Sequence, residues 1–138
     1  MQVQPLEVIM NTLLKYGLLG NAIFSCLTGI ALIIAPVQIA IYMGVPDPTL
    51  LMGVGIGLLP FAGHLIIALR RKPIRTGEVY YLSAMDGLWV LGSAAILLFD
   101  LVPFTTVGLI VFSLIALTVA DFMFMQIMGV RKRVSAQS

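Results

Sequence analysis

The chain has 138 residues, of which 60% are hydrophobic and only 10% are charged, and its formal net charge at pH 7 is +2. Soluble domains average about 25% charged residues, so this composition excludes a water-soluble fold. The single cysteine, Cys26, excludes an intrachain disulfide and a CxxC redox pair.

Four apolar segments follow one another along the chain, and each has close to the roughly 20 residues that cross about 30 Å of hydrocarbon. None shows the alternating polarity of a barrel strand. The sequence predicts an all-α integral membrane protein, a four-transmembrane-helix bundle that forms a single domain over residues 1–138. We place the helices at 13–35, 49–69, 80–99 and 105–128, with a loop at 70–79 and a tail at 129–138.

The loop between the first two predicted helices is long enough for a short interfacial turn. It ends in Asp47 and Pro48, and aspartate is favoured as an N-cap while proline is favoured at the first helical position. These two residues therefore predict the start of the second membrane helix.

All lysine and arginine residues fall on one side of the four-helix arrangement, and the two loops on the other side contain none. The positive-inside rule then predicts that both termini and the loop 70–79 are cytoplasmic, in a multi-pass protein of the plasma or inner membrane. We interpret the basic residues near the helix ends as contacts for anionic lipid headgroups, and not as a nucleic-acid interface, because no binding motif accompanies them. These residues are Arg70, Arg71, Lys72, Arg75, Arg131, Lys132 and Arg133.

The two halves of the sequence share a pattern. Asn21 precedes small residues and Pro36 in the first half, and Asp86 precedes small residues and Pro103 in the second half. This pattern favours two parallel helical-hairpin repeats (2+2), related by a pseudo-two-fold axis along the membrane normal. Convergent composition explains much of the same similarity.

Each predicted helix carries one polar residue at a similar depth, roughly 9 to 15 Å from the basic side at about 1.5 Å per residue. A membrane-embedded aspartate is costly unless it faces the bundle interior, so we expect both aspartates to point inward. The predicted polar layer consists of Asn21, His64, Asp86 and Asp121.

The polar layer has a structural and a functional interpretation. In the structural one, His64 bonds an aspartate, and small residues let the helices approach closely; the packing residues would be Gly53, Gly57, Ser25, Gly29 and Pro60. In the functional one, the layer is a proton or ion site.

No catalytic motif, cofactor site or metal site is apparent in the sequence. The prediction is a non-catalytic membrane protein, either an accessory or assembly subunit or a self-associating bundle, acting as a homo-oligomer or within a larger membrane complex. The alternative is a small oligomeric proton- or cation-coupled transporter that uses His64, Asp86 and Asp121.

Overall fold

The computed structural model of the chain describes the backbone of residues 5–137 and the side chains of residues 12–131. The described residues form five helices and no strand. These are α1 (Pro5–Ile34), α2 (Pro36–Met43), α3 (Pro48–Arg70), α4 (Thr76–Leu98) and α5 (Thr106–Gln137).

Four of the helices are long and apolar enough to cross a membrane. The candidate spans are Thr12–Ile34, Pro48–Arg70, Thr76–Leu98 and Thr106–Arg131. Within an apolar stretch of 18 residues in each span, only 11% to 33% of the residues are buried inside the chain, so most of the apolar surface faces outward, as a lipid solvent requires. The all-helical fold with four apolar helices is thereby confirmed.

The second span begins as the sequence predicts. The Asp47 side chain accepts a hydrogen bond from the Thr49 backbone N–H at 2.9 Å, and Pro48 occupies the first helical position. The preceding loop contains α2, an eight-residue helix that also begins with a proline, Pro36. Pro60 lies within α3 and does not interrupt it.

The four long helices are arranged as a ring in which one of the four helix pairs has few contacts. Helix α1 packs along α3 and α5, and α4 packs along α5, whereas α3 and α4 approach each other at few points. Helices α1 and α4 do not pack against each other. They therefore lie diagonally across the bundle, where they meet only through side chains that point into it.

The close approach between α1 and α3 takes place at Gly29 and Gly55. A Cβ atom added at Gly55 would lie 2.8 Å from the Gly29 carbonyl oxygen, so only glycine fits here. The spacing had pointed to Gly53 and Gly57, but a Cβ atom at either of them would meet nothing within 4 Å. Both glycines, and Pro60 as well, lie on the exposed side of α3, because residues two apart on a helix point in widely different directions.

An apolar core closes the end of the bundle that carries the basic residues Arg70, Arg71 and Arg131, which we call the basic end. All four long helices contribute to it. Its buried members are Leu14, Leu18, Ala22, Leu65, Ala68, Ile74, Val79, Leu82 and Val130.

At the opposite end, the start of α5 is joined to the end of α2. The Thr105 backbone N–H donates to the Met43 carbonyl at 2.9 Å, and the Thr105 hydroxyl donates to the Tyr42 carbonyl. Gly44 ends α2 in the left-handed conformation at φ 82°, and a Cβ atom added there would lie 2.6 Å from the Pro103 carbonyl oxygen. The two halves of the chain are thus connected at both ends of the bundle.

Helix α5 extends well past residue 128, where the sequence placed its end, and continues to Gln137. The predicted tail is therefore helical over most of its length. Basic residues mark the end of the apolar span, but lysine and arginine are good helix formers and do not end a helix. The side chains of Lys132 and Arg133 lie outside the described residues.

Candidate functional site

A buried carboxylate lies at the centre of the bundle. Asp86, on α4, is 3% exposed, and its Oδ2 atom accepts a hydrogen bond from Asn21 Nδ2 on α1 at 2.7 Å. The same oxygen accepts a second bond, from Gln126 Nε2 on α5 at 3.2 Å. One oxygen atom therefore joins three helices.

Further polar side chains surround this junction. The Ser25 hydroxyl, one turn along α1, donates to Asn21 Oδ1 at 3.3 Å. Ser83 lies one turn before Asp86 on the same face of α4 and is 2% exposed. We refer to Asn21, Ser25, Ser83, Asp86 and Gln126 as the Asp86 cluster.

Two oxygen atoms of the Asp86 cluster are buried without a hydrogen-bond partner among the described residues. They are the Ser83 hydroxyl oxygen and the Gln126 Oε1 atom. Such atoms are rare in folded proteins, because a buried polar atom that loses its water costs about 1–3 kcal/mol when it stays unpaired. The cluster therefore has unused capacity to bind a further group.

The orientation of the Gln126 amide is fixed by its neighbours. Nε2 donates both to Asp86 and to the Phe122 carbonyl, at 3.1 Å. The flipped amide would place Oε1 against the carboxylate and the carbonyl, so that acceptors would face acceptors. Oε1 is consequently the unpaired atom.

Gln126 was not among the residues that the sequence singled out. It lies within the run FMFMQIM, in which the other six residues are apolar, and an amide carries no charge that would identify it. The available signal was its position in the sequence. Gln126 lies eight residues beyond Thr118 and five before Arg131, at a depth similar to that of Asn21.

Of the predicted polar layer, the structure brings together Asn21 and Asp86 and leaves the other two residues outside. Asp121 lies on the exposed side of α5, contrary to the expectation that both aspartates point inward. The reason is geometric: Gln126 and Asp121 are five residues apart and so point in different directions on a helix, and it is Gln126 that faces the bundle.

His64 belongs to a separate group near the basic end. Its Nε2 atom lies 3.9 Å from Glu78 Oε2, and its ring lies 5.7 Å from that of Tyr81. Arg71 Nε donates to both Glu78 oxygens at 3.1 Å. His64 thus neighbours a glutamate on α4 in place of either predicted aspartate, and this group ties α3 and the following loop to α4.

Trp89, one turn beyond Asp86, has its indole nitrogen buried without an acceptor among the described residues. This is unusual, because a buried indole N–H generally finds an acceptor. Within residues 12–131, no three His, Cys, Asp or Glu side chains come together as a metal site of those residue types would require.

No protein-family model matches this chain, and no curated protein and no solved structure shows significant similarity to it.

Proposed function

We propose that the chain is a non-catalytic, self-associating protein of the plasma or inner membrane, functioning as a homo-oligomer or as an assembly subunit of a larger membrane complex. The observation that carries the proposal is the exposure of Asp121. This carboxylate lies ten residues before Arg131, which corresponds to a depth of about 15 Å. A carboxylate near the middle of a span costs about 2.5 to 3.5 kcal/mol on insertion scales, so it favours contact with a polar partner outside the chain.

The surface around Asp121 supports this proposal. Leu114, Leu117 and Phe124 occupy the same side of α5 and are 57% to 67% exposed. Such apolar side chains can pack against lipid or against a second helix, and an interhelical hydrogen bond to Asp121 would contribute on the order of 1 kcal/mol.

In this proposal both termini and the loop between α3 and α4 are cytoplasmic. Every lysine and arginine lies towards that side in the sequence, and the loops at the opposite end carry only the acidic residues Asp47 and Asp100. The positive-inside rule gives this orientation. The exposed members of the basic set then lie at the level of anionic lipid headgroups.

The 2+2 arrangement is also part of the proposal. A pseudo-two-fold axis along the membrane normal would relate α1 to α4, and equivalent residues near the axis would meet across it, as Asn21 and Asp86 do. The same axis would relate His64 to Asp121, and both of these lie towards the outside. The halves differ in their contacts, because α1 packs closely on α5 while α4 scarcely touches α3.

The second candidate function is a small oligomeric proton- or cation-coupled transporter. It is favoured by the buried Asp86 carboxylate with two unpaired oxygen atoms in its cluster. Transport would then use Asp86 within each bundle. His64 and Asp121, which lie outside the Asp86 cluster, would contribute at other positions of the protein.

The experiment that tests the first proposal is a measurement of protein mass in a mild detergent, by light scattering, for the wild type and for Asp121→Leu. We expect a discrete oligomer or a complex of fixed stoichiometry for the wild type, and a smaller particle for Asp121→Leu. Asp100→Asn is the matched control, because it removes one acidic charge at the end of the bundle, and it should keep the wild-type mass. Mass spectrometry of the extracted particle distinguishes copies of this chain from other subunits.

A monomeric wild-type protein, both in detergent and after crosslinking in intact membranes, would contradict the proposal. An oligomer whose mass is the same in the wild type and in Asp121→Leu would show that Asp121 is not the contact. The observation that carries the proposal would then be lost. Flux of protons or cations through vesicles that contain the purified wild type, abolished by Asp86→Asn, would favour the second candidate.

A further inference from the structure

The Asp86 carboxylate has no positively charged partner among the described residues. The described partners of the Asp86 carboxylate are the side-chain amides of Asn21 and Gln126, and both are neutral. An ionised carboxylate in an apolar medium is very costly unless it meets a positive charge. Amide donors reduce this cost but supply no countercharge.

The unpaired atoms of the cluster are oxygens. Gln126 Oε1 belongs to the same amide group as Nε2, the atom that donates to Asp86 Oδ2. This oxygen is therefore bonded to the same carbon as the nitrogen that contacts the carboxylate. The Ser83 hydroxyl lies one helical turn from Asp86, and helical side chains lean towards the N-terminus, which brings the carboxylate towards Ser83. Both residues are at least 98% buried, and neither oxygen has a partner among the described residues.

A proton on Asp86 would neutralise the carboxylate but would leave the Gln126 carbonyl oxygen without a donor, since Asp86 contacts the nitrogen side of that amide. A small cation satisfies both needs, because it supplies positive charge to the carboxylate and accepts electron pairs from the neutral oxygens. Hard cations prefer such oxygen ligands, and Na⁺ sites in membrane proteins are built from them at mid-membrane depth.

A single carboxylate matches a single positive charge. Divalent cations in proteins use several carboxylates, and the side chains of residues 12–131 contain no group of three acidic, histidine or cysteine ligands. We infer that the Asp86 cluster binds one Na⁺ ion, held by the Asp86 carboxylate, the Gln126 amide oxygen and the Ser83 hydroxyl, with Asn21 orienting the carboxylate.

This inference goes beyond the proposed assembly function and does not depend on it, because every ligand belongs to one chain. A monomeric protein would bind Na⁺ as an oligomer does. The mass measurement and the binding measurement can therefore fail independently.

The chain contains its own reporter for the test. Trp89 is the only tryptophan, and it lies one turn beyond Asp86, so its fluorescence reports on a single place near the cluster. The purified protein in detergent is titrated with NaCl against choline chloride at constant ionic strength and constant pH, and binding of radioactive Na⁺ is measured in parallel. We expect a saturable change in fluorescence with Na⁺ and saturable binding of the isotope.

Ser83→Ala is the decisive variant, because the Ser83 hydroxyl makes no described hydrogen bond and we therefore expect the variant to keep the fold. We expect the half-saturating Na⁺ concentration to rise about tenfold, the effect of losing one ligand worth about 1.4 kcal/mol. Asp86→Asn should abolish binding. Ser93→Ala is the matched control, since Ser93 is also a buried serine of α4, 3% exposed, on the same helix face but two turns beyond Asp86, and it should bind as the wild type does.

Three results would overturn the inference. The first is a folded, monodisperse wild-type protein without saturable Na⁺ binding, including one whose fluorescence responds to pH but not to Na⁺. The second is an equal response to NaCl and choline chloride, which would mark an effect of ionic strength. The third is a Ser83→Ala variant whose Na⁺ affinity equals that of the wild type and of Ser93→Ala.

Discussion

Asn21 Nδ2 donates a hydrogen bond to Asp86 Oδ2 over 2.7 Å, although their helices, α1 and α4, do not pack against each other. The two side chains reach across the diagonal of the bundle and meet inside it, where both are at most 3% exposed. This bond and the Gln126 bond to the same oxygen hold α1, α4 and α5 in register.

The first prediction concerns this bond. Asn21→Leu should lower the free energy of unfolding by about 0.6 to 1.7 kcal/mol, the average and the largest value for hydrogen bonds between membrane helices, because the carboxylate loses one of its two described donors while it stays buried. Unfolding in mixed micelles at increasing denaturing-detergent fraction measures the change. The double variant Asn21→Leu with Asp86→Leu should lose less than the sum of the two single variants, since no charged group is then left unpaired. Strictly additive losses would show that the bond contributes nothing.

The second prediction distinguishes two glycines of α3. Gly55→Ala should destabilise the protein by about 1 to 3 kcal/mol, the usual cost of overpacking, because its Cβ atom would lie 2.8 Å from the Gly29 carbonyl oxygen and force α1 away from α3. Gly57→Ala is the control, since its Cβ atom meets nothing within 4 Å. Thermal unfolding of the two variants in the same detergent measures the difference. Equal stabilities would contradict the close approach of these helices.

The third prediction concerns two adjacent arginines. Arg71→Gln should lower stability by about 0.5 to 1 kcal/mol, the scale of a partly exposed ion pair, because Arg71 Nε contacts both oxygens of Glu78, whose side chain is only 14% exposed. Arg70→Gln removes the same charge from an exposed position and should leave stability unchanged. Thermal unfolding at low salt measures both variants, and high salt should reduce the gap between them. A loss of stability in both variants alike would point to net charge as the cause.

The fourth prediction concerns lipid contacts at the basic end. Replacing Arg70, Lys72 and Arg75 by glutamine should weaken the retention of anionic phospholipid by about 1 kcal/mol per residue, because these side chains are exposed. Native mass spectrometry of the protein from mixed lipid micelles counts the retained lipids. Neutral phospholipid should be retained equally by the variant and the wild type. Equal loss of both lipid types would indicate a change in the micelle contact as a whole.

The sequence was sufficient to predict the spans and the start of α3, because hydropathy and the Asp47–Pro48 pair are local signals. It was not sufficient to predict which side of a helix faces inward. In a lipid solvent, the residues that line the bundle and those that face the membrane are equally apolar. The sequence therefore does not indicate whether Gly55 packs against α1 or whether Gly53 and Gly57 do. The same ambiguity hid Gln126 and led to the wrong orientation for Asp121, because both lie among apolar residues on α5 and the sequence does not indicate which of the two faces inward.

The bond between Thr105 and the end of α2 bears on how the chain is made. Translation proceeds from the N-terminus, so α1, α2 and α3 leave the ribosome before α5 exists. The hydroxyl of Thr105 reaches a carbonyl 63 residues earlier in the chain, and its N–H satisfies the carbonyl next to it. The bonds that complete the turn after α2 therefore form only once the start of α5 has been synthesised, late in biogenesis.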